Sequence, residues 1–175
     1  MPGGQCGRGL ETHRSSIVTS SLKFIAACSV SLFAMASAQA GECPADKVGV
    51  DVMKPGATAP VGVTDTVLSA IDISKIVPGA EGRMLRLRRL VIQPGGIVPW
   101  HSHAERPANI YVVEGGITEY RSTCSVPIEH KAGEATGESV GLSHWWKNNT
   151  TKPTVLLSSD ILPPEKMKSG ADQHM

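Results

Sequence analysis

The sequence predicts an all-β fold, a single barrel or sandwich. After residue 40, short runs rich in Val, Ile, Leu and Thr recur along the chain, glycine- and proline-bearing turns separate them, and little helical periodicity intervenes. A length of 175 residues suits one domain with a real core. Residues 41–60 are punctuated by Pro and Gly and meander, with alternation enough at 48–53 for a short edge strand. Residues 66–73 and 84–93 read as strands, the second ending at Pro94-Gly95-Gly96. Strands at 98–101, 109–113 and 117–121 follow, the last two joined as a hairpin at Gly115-Gly116. A turn at Gly133, a short strand near Glu138, and strands at 144–147 and 154–162 complete the set. Pro163-Pro164 ends it.

The first forty residues have a different character. Arg8, Arg14 and Lys23 precede the apolar run 24–36, and Ala38-Gln39-Ala40 supplies the small-x-small pattern that signal peptidase accepts. Residues 1–40 are therefore expected to be a signal peptide, with a hydrophobic anchor as the alternative. The expected localisation is periplasmic or secreted. Residues 41–82 then form an N-terminal extension with the first barrel strands, 83–163 the core barrel, and 164–175 a polar C-terminal tail. Removing the leader leaves Cys43 and Cys124, an even pair in an oxidising compartment; a disulfide between them is the expectation and two free thiols the alternative.

With 17 Lys+Arg against 16 Asp+Glu the chain is near neutral, which argues against a nucleic-acid or anionic-membrane surface. Arg83, Arg86, Arg88 and Arg89 read as decoration on a strand exterior, with guidance of an anionic ligand as the alternative.

The chemistry concentrates in Gly95-Gly96-Ile97-Val98-Pro99-Trp100-His101-Ser102-His103. On an extended segment, His101 and His103 point to the same side and can share one ion. His144 stands downstream in Gly141-Leu142-Ser143-His144-Trp145-Trp146-Lys147-Asn148, giving a three-histidine set. These residues resemble the cupin superfamily. Its first motif is matched by Gly95, His101, His103 and Gly115, and its second by Gly133, Gly141, His144 and Asn148. The resemblance runs from about Leu85 to Leu162. Two positions depart from it: Ser139 replaces a proline, and Ala108 replaces the glutamate that commonly completes the site.

The resemblance implies a single-domain cupin jelly-roll β-barrel with a metal in its mouth. It implies a divalent ion (Fe, Mn, Zn, Ni or Cu) on His101, His103 and His144. Glu105, two residues past His103, is the candidate substitute ligand or acid/base group, ahead of Glu114 and Glu119 on or beside the hairpin. By alternation Ala108, Ile110, Val112 and Trp146 line the pocket, while Asn148 serves a turn. Imidazole suits those metals, and neutral ligands leave the ion its charge and open positions. Two function classes follow. One is a metal-dependent, oxygenase-type enzyme acting on a small chelating substrate; the other is a non-catalytic module that binds a small molecule or metal. The expected partner is a small-molecule ligand, with no membrane after signal cleavage and a homodimer left open. Fold alone does not choose between these.

Overall fold

The computed structural model describes residues 41–164. The signal-peptide reading of 1–40 and all but the first residue of the 164–175 tail lie outside them. The regular structure among the described residues is nearly all strand: β1 (Val61–Asp72), β2 (Met84–Ser102), β3 (Ala108–Glu114), β4 (Gly116–Arg121), β5 (Ile128–Lys131), β6 (Ala135–Glu138), β7 (Ser143–Lys147) and β8 (Thr154–Leu162). They curl in the order β5-β4-β7-β2-β8-β3-β6, with β1 paired to β2, and every pairing is antiparallel. This is the jelly-roll arrangement that the motifs imply.

Strand β2 organises it. The turn expected at Pro94-Gly95-Gly96 does not end the strand; its first part pairs with β1 and β8, and its second part pairs with β7. Pro99 is tolerated because the ladder is already broken there. Val98 lies opposite Trp146 and His101 opposite His144, so β2 spends one residue more than β7 over that interval. In a regular strand Val98 and His101 would face opposite sides. The extra residue resets the alternation, and Val98, His101 and His103 all line the interior cavity.

Three local expectations are corrected. Residues 48–53 form no strand: a 3-10 turn at Ala45–Lys47 is followed by one isolated bridge, Val48 to Cys124. Backbone bonds from Gly49 to Thr123 and from Val52 to Ser122 hold the segment instead. Gly115-Gly116 is not a hairpin, because β3 pairs with β6 and β8 while β4 pairs with β5 and β7. Gly115, at φ 80°, turns the chain from one neighbourhood of the sheet to the other. Arg86 and Arg88 are buried, on the inner row of β2 with Leu90 and Ile92.

Two inner rows explain that last result. Leu90, Ile92, Val98, Ile110, Val112, Ile117, Trp146 and Leu156 make an apolar cluster with Ala108. Beyond it lies a buried ionic layer. Asp160 accepts from Arg86 Nε at 2.9 Å and Nη2 at 2.6 Å, a two-pronged pair, and lies 3.3 Å from Arg88. Arg88 also pairs with Asp65 on β1 and donates to Ser158 at 3.3 Å. Burial, with the neighbouring charges of Arg106 and Arg86, pulls the Arg88 guanidinium down from its usual range, and the two aspartates counter it.

Asn148 closes the far end of the barrel. Its side-chain amide donates to the carbonyls of Ile92 and Lys152, and its Oδ1 accepts from the Thr150 amide and hydroxyl. Cys43 and Cys124 form a disulfide that spans 81 residues of sequence and fastens the N-terminal segment to the barrel. Trp145 faces outward, stacked on Tyr120 with ring centroids 4.1 Å apart and in contact range of Gly56.

Candidate metal centre

Strands β2 and β7 bring the three histidines together. His101 and His144 are direct cross-strand partners, and His103 follows two residues after His101. Their Nε2 atoms lie 2.9, 3.0 and 3.2 Å apart. Each ring is held at its other nitrogen: His101 Nδ1 at 2.8 Å from the Pro99 carbonyl, His103 Nδ1 at 2.7 Å from the Arg106 carbonyl, and His144 Nδ1 at 2.5 Å from Glu119 Oε1. A carbonyl or carboxylate only accepts, so each Nδ1 carries the proton and donates it. Each Nε2 of a neutral ring then presents its lone pair, and that of His144 faces the Trp146 Nε1–H at 3.4 Å. Burial and the neighbouring His144 hold His101 well below its ordinary range, and the same causes bring His103 down to about 3.

Three acceptors converge at about van der Waals distance with no hydrogen to share among them. Contacts between them are therefore repulsive, and a cation at their common focus relieves that repulsion. The residues present fit a divalent ion on this chemistry, and His101, His103 and His144 are the side chains that would hold it.

Two buried glutamates stand beside them. Glu119 on β4 is fully buried, with Oε2 accepting from His130 Nε2 at 2.9 Å and from Arg121 at 2.8 Å, and Oε1 accepting from His144. Burial would raise this carboxyl, but hydrogen bonds from His130 and His144 and the charge of Arg121 outweigh it and hold it well below the usual carboxylate range. The arrangement is a carboxylate–histidine pair that fixes ring orientation.

Glu138 on β6 completes the set. Its Oε2 is 3.2 Å from His103 Nε2 and its Oε1 is 3.4 Å from His144 Nε2. It is buried, and burial raises its carboxyl to about 7. When protonated it can donate to one of those bare nitrogens.

Glu105, the acid expected at the site, is exposed; only its backbone carbonyl is engaged, accepting from Arg83. The acid beside the histidines is Glu138. Ile110 and Trp146 line the cavity, while Ala108 and Val112 are buried in the apolar cluster next to it. The cavity is about 30 Å³ and is walled by Leu90, Val98, Ile110, Trp146 and Leu156. Its polar lining is made by His101, His103, Glu138, Arg88, Arg106 and Ser158. Glu138 and Arg106 were not identified as site residues from the sequence; Glu119 ranked behind Glu105, and Arg88 entered only as an alternative guide for an anionic ligand. Arg88 shares the inward alternation of Leu90 and Ile92, which is the signal that could have found it; the two glutamates are placed by strand register.

Comparison with known proteins agrees with the fold. The family model described as Cupin domain matches residues 88–160. Nectarin-1 of Nicotiana langsdorffii x Nicotiana sanderae is 30% identical over 118 residues, covering 66% of this chain and 50% of that protein. Germin-like protein subfamily 2 member 2 of Arabidopsis thaliana is 29% identical over 109 residues, covering 59% of this chain and 50% of its own length. The chain thus spans about half the length of the curated relatives it matches. Among solved structures, a predicted oxalate decarboxylase of Thermotoga maritima is similar at 19% identity and a TM-score of 0.48, over 66% of this chain and 97% of that one. With the paired motifs, the antiparallel barrel and the matched family model in agreement, residues 88–160 form a cupin domain.

Proposed function

We propose that the protein is an exported, metal-dependent cupin enzyme of oxygenase type, acting on a small chelating ligand at His101, His103 and His144. The observation that carries this reading is the set of three imidazoles, each fixed through a donating Nδ1 so that the Nε2 lone pairs meet within 3.2 Å. A divalent ion bound there would supply Lewis acidity and, if it is iron, manganese or copper, the means to use dioxygen. The chain's own residues supply the rest. Leu90, Val98, Ile110, Trp146 and Leu156 exclude water from the cavity. Arg88, Arg106 and Ser158 offer donors to an oxygen-rich ligand, and Glu138 can hold a proton beside His103. The Cys43–Cys124 disulfide supports export to an oxidising compartment.

Metal analysis of protein purified from its export compartment, followed by oxygen-uptake screening with chelating phenols, thiols and sugar acids, tests the proposal. The expected result is one ion per chain, lost in His101→Ala, His103→Ala and His144→Ala while the barrel stays folded, with oxygen consumed in the presence of a chelating substrate. Stoichiometric metal surviving the loss of His144 would refute the three-histidine site. Tight ligand binding without turnover would refute the enzyme and leave a binding module.

A further inference from the structure

We infer that the acidic metal ligand missing at position 108 has moved one strand across the sheet, and that Glu138 on β6 serves as the fourth ligand beside the three histidines. The inference rests on the three-histidine reading and adds a donor that the family pattern does not place there.

The register is the first support. Ala108 on β3 and Glu138 on β6 are direct antiparallel partners, so their side chains leave the same face of the sheet from neighbouring backbones. A carboxylate at 138 can therefore replace one at 108, provided that residue 108 is small enough to let it pass. Ala108 is, with a side chain of one carbon. The second support is the state of the carboxylate. Glu138 Oε1 is buried with no hydrogen-bond donor facing it, and both its oxygens lie 3.2–3.4 Å from Nε2 atoms that are themselves acceptors. Ionised, a buried carboxylate aimed at ring lone pairs is a costly arrangement without a cation and a coordinating one with it. The third support is the contrast with Glu119, the other buried acid near His144. Its oxygens are taken by His144, His130 and Arg121, so it orients a ligand and has no lone pair aimed at the focus of the three rings. Glu119 is engaged through both oxygens, whereas Glu138 Oε1 has no donor.

The test uses the full mature chain loaded with Co(II), whose absorption reports its ligand set, and compares wild type, Glu138→Ala, Glu138→Gln and the double variant Ala108→Glu/Glu138→Ala. Affinity is read by competition with a chelator, and folding by melting of the metal-free forms. Glu138→Ala and Glu138→Gln should each bind Co(II) about 100-fold more weakly, the upper end of what losing even an indirect partner costs, with an altered spectrum. Returning the carboxylate to the family position in the double variant should recover most of that affinity. If both single variants fold and bind with the wild-type affinity and spectrum, Glu138 is not a ligand and the inference falls while the three-histidine site stands. A folded wild type that takes up no Co(II) would sink the three-histidine reading itself, and this inference with it.

Discussion

Replacing Glu119 with glutamine separates ligand orientation from ligation, because Glu119 touches His144 and nothing at the focus of the rings. The carboxylate has three donors around it: His144 Nδ1 at 2.5 Å, His130 Nε2 at 2.9 Å and Arg121 at 2.8 Å. Glutamine preserves the shape, but one carboxylate oxygen becomes an amide NH₂, which must then face an N–H. Either His144 loses its acceptor or His130 and Arg121 lose theirs. Loss of a partner of this kind costs about 10–100-fold in metal affinity, which is about 1.4–2.7 kcal/mol. The linkage is direct: at a fixed saturating metal concentration, a 100-fold weaker site removes about 2.7 kcal/mol of metal-dependent stabilisation. Chelator competition gives the affinity, and melts with and without metal give the linked stability. The melt of the metal-free variant isolates the separate cost of breaking the buried Glu119–Arg121 pair. A folded Glu119→Gln protein with wild-type affinity would show that His144 does not depend on Glu119 for its orientation.

Two further outcomes follow from the same structure. Reducing the Cys43–Cys124 disulfide, or replacing both cysteines with serine, should lower unfolding stability by roughly 4 kcal/mol from the loop it closes, and denaturant titration measures it; no change in the midpoint would show that the crosslink does not constrain the unfolded chain. The metal-free protein should also lose stability on acidification. Buried neutral His101 and His103 gain protons only in the unfolded chain as pH falls through 6.5, whereas Glu138, raised to about 7, gains its proton first in the fold and opposes them down to 4.5. The loss should therefore be shallow above pH 4.5 and steeper below it. Melts of chelator-treated protein across that range test this, and a melting temperature that rises throughout acidification would refute it.

The histidine set was legible because its information is local. His101-Ser102-His103 carries its own alternation, and Gly95, Gly141 and Asn148 mark the turns on either side. Strand ends at residues 84, 154 and 162 were equally plain from the apolar runs. What the sequence hid is set by register. Glu138 reaches the histidines because Ala108 is its partner across β3 and β6, and Glu119 because β4 lies beside β7; neither pairing leaves a mark at a fixed spacing. Arg86 and Arg88 misled for a different reason. A run of arginine is ordinarily a solvated face, and only the folded chain shows Asp65 and Asp160 waiting on β1 and β8 to compensate them. Their shared parity with Leu90 and Ile92 was the better guide than their charge.

The register also explains why residue 108 is alanine. Ala108 has two cross-strand partners on its face of the sheet, Glu138 on one side and Asp160 on the other. Asp160 belongs to the arginine layer, where it compensates Arg86 and Arg88 and lies 4.0 Å from Arg106. Glu138 belongs to the histidines. With a methyl group between them, the two acids are separated by two strand spacings, roughly 9.5 Å between their backbones. A glutamate at 108 would stand one spacing, about 4.8 Å, from each, in a buried setting where like charges are poorly screened. Asp160 is balanced by Arg86 and Arg88, so the charge conflict falls between Glu138 and a glutamate at 108. The common cupin arrangement is therefore opposed in this chain as long as Glu138 is kept. The small side chain at 108 lets one barrel hold a metal-binding acid and a charge-balanced arginine layer on adjoining strands.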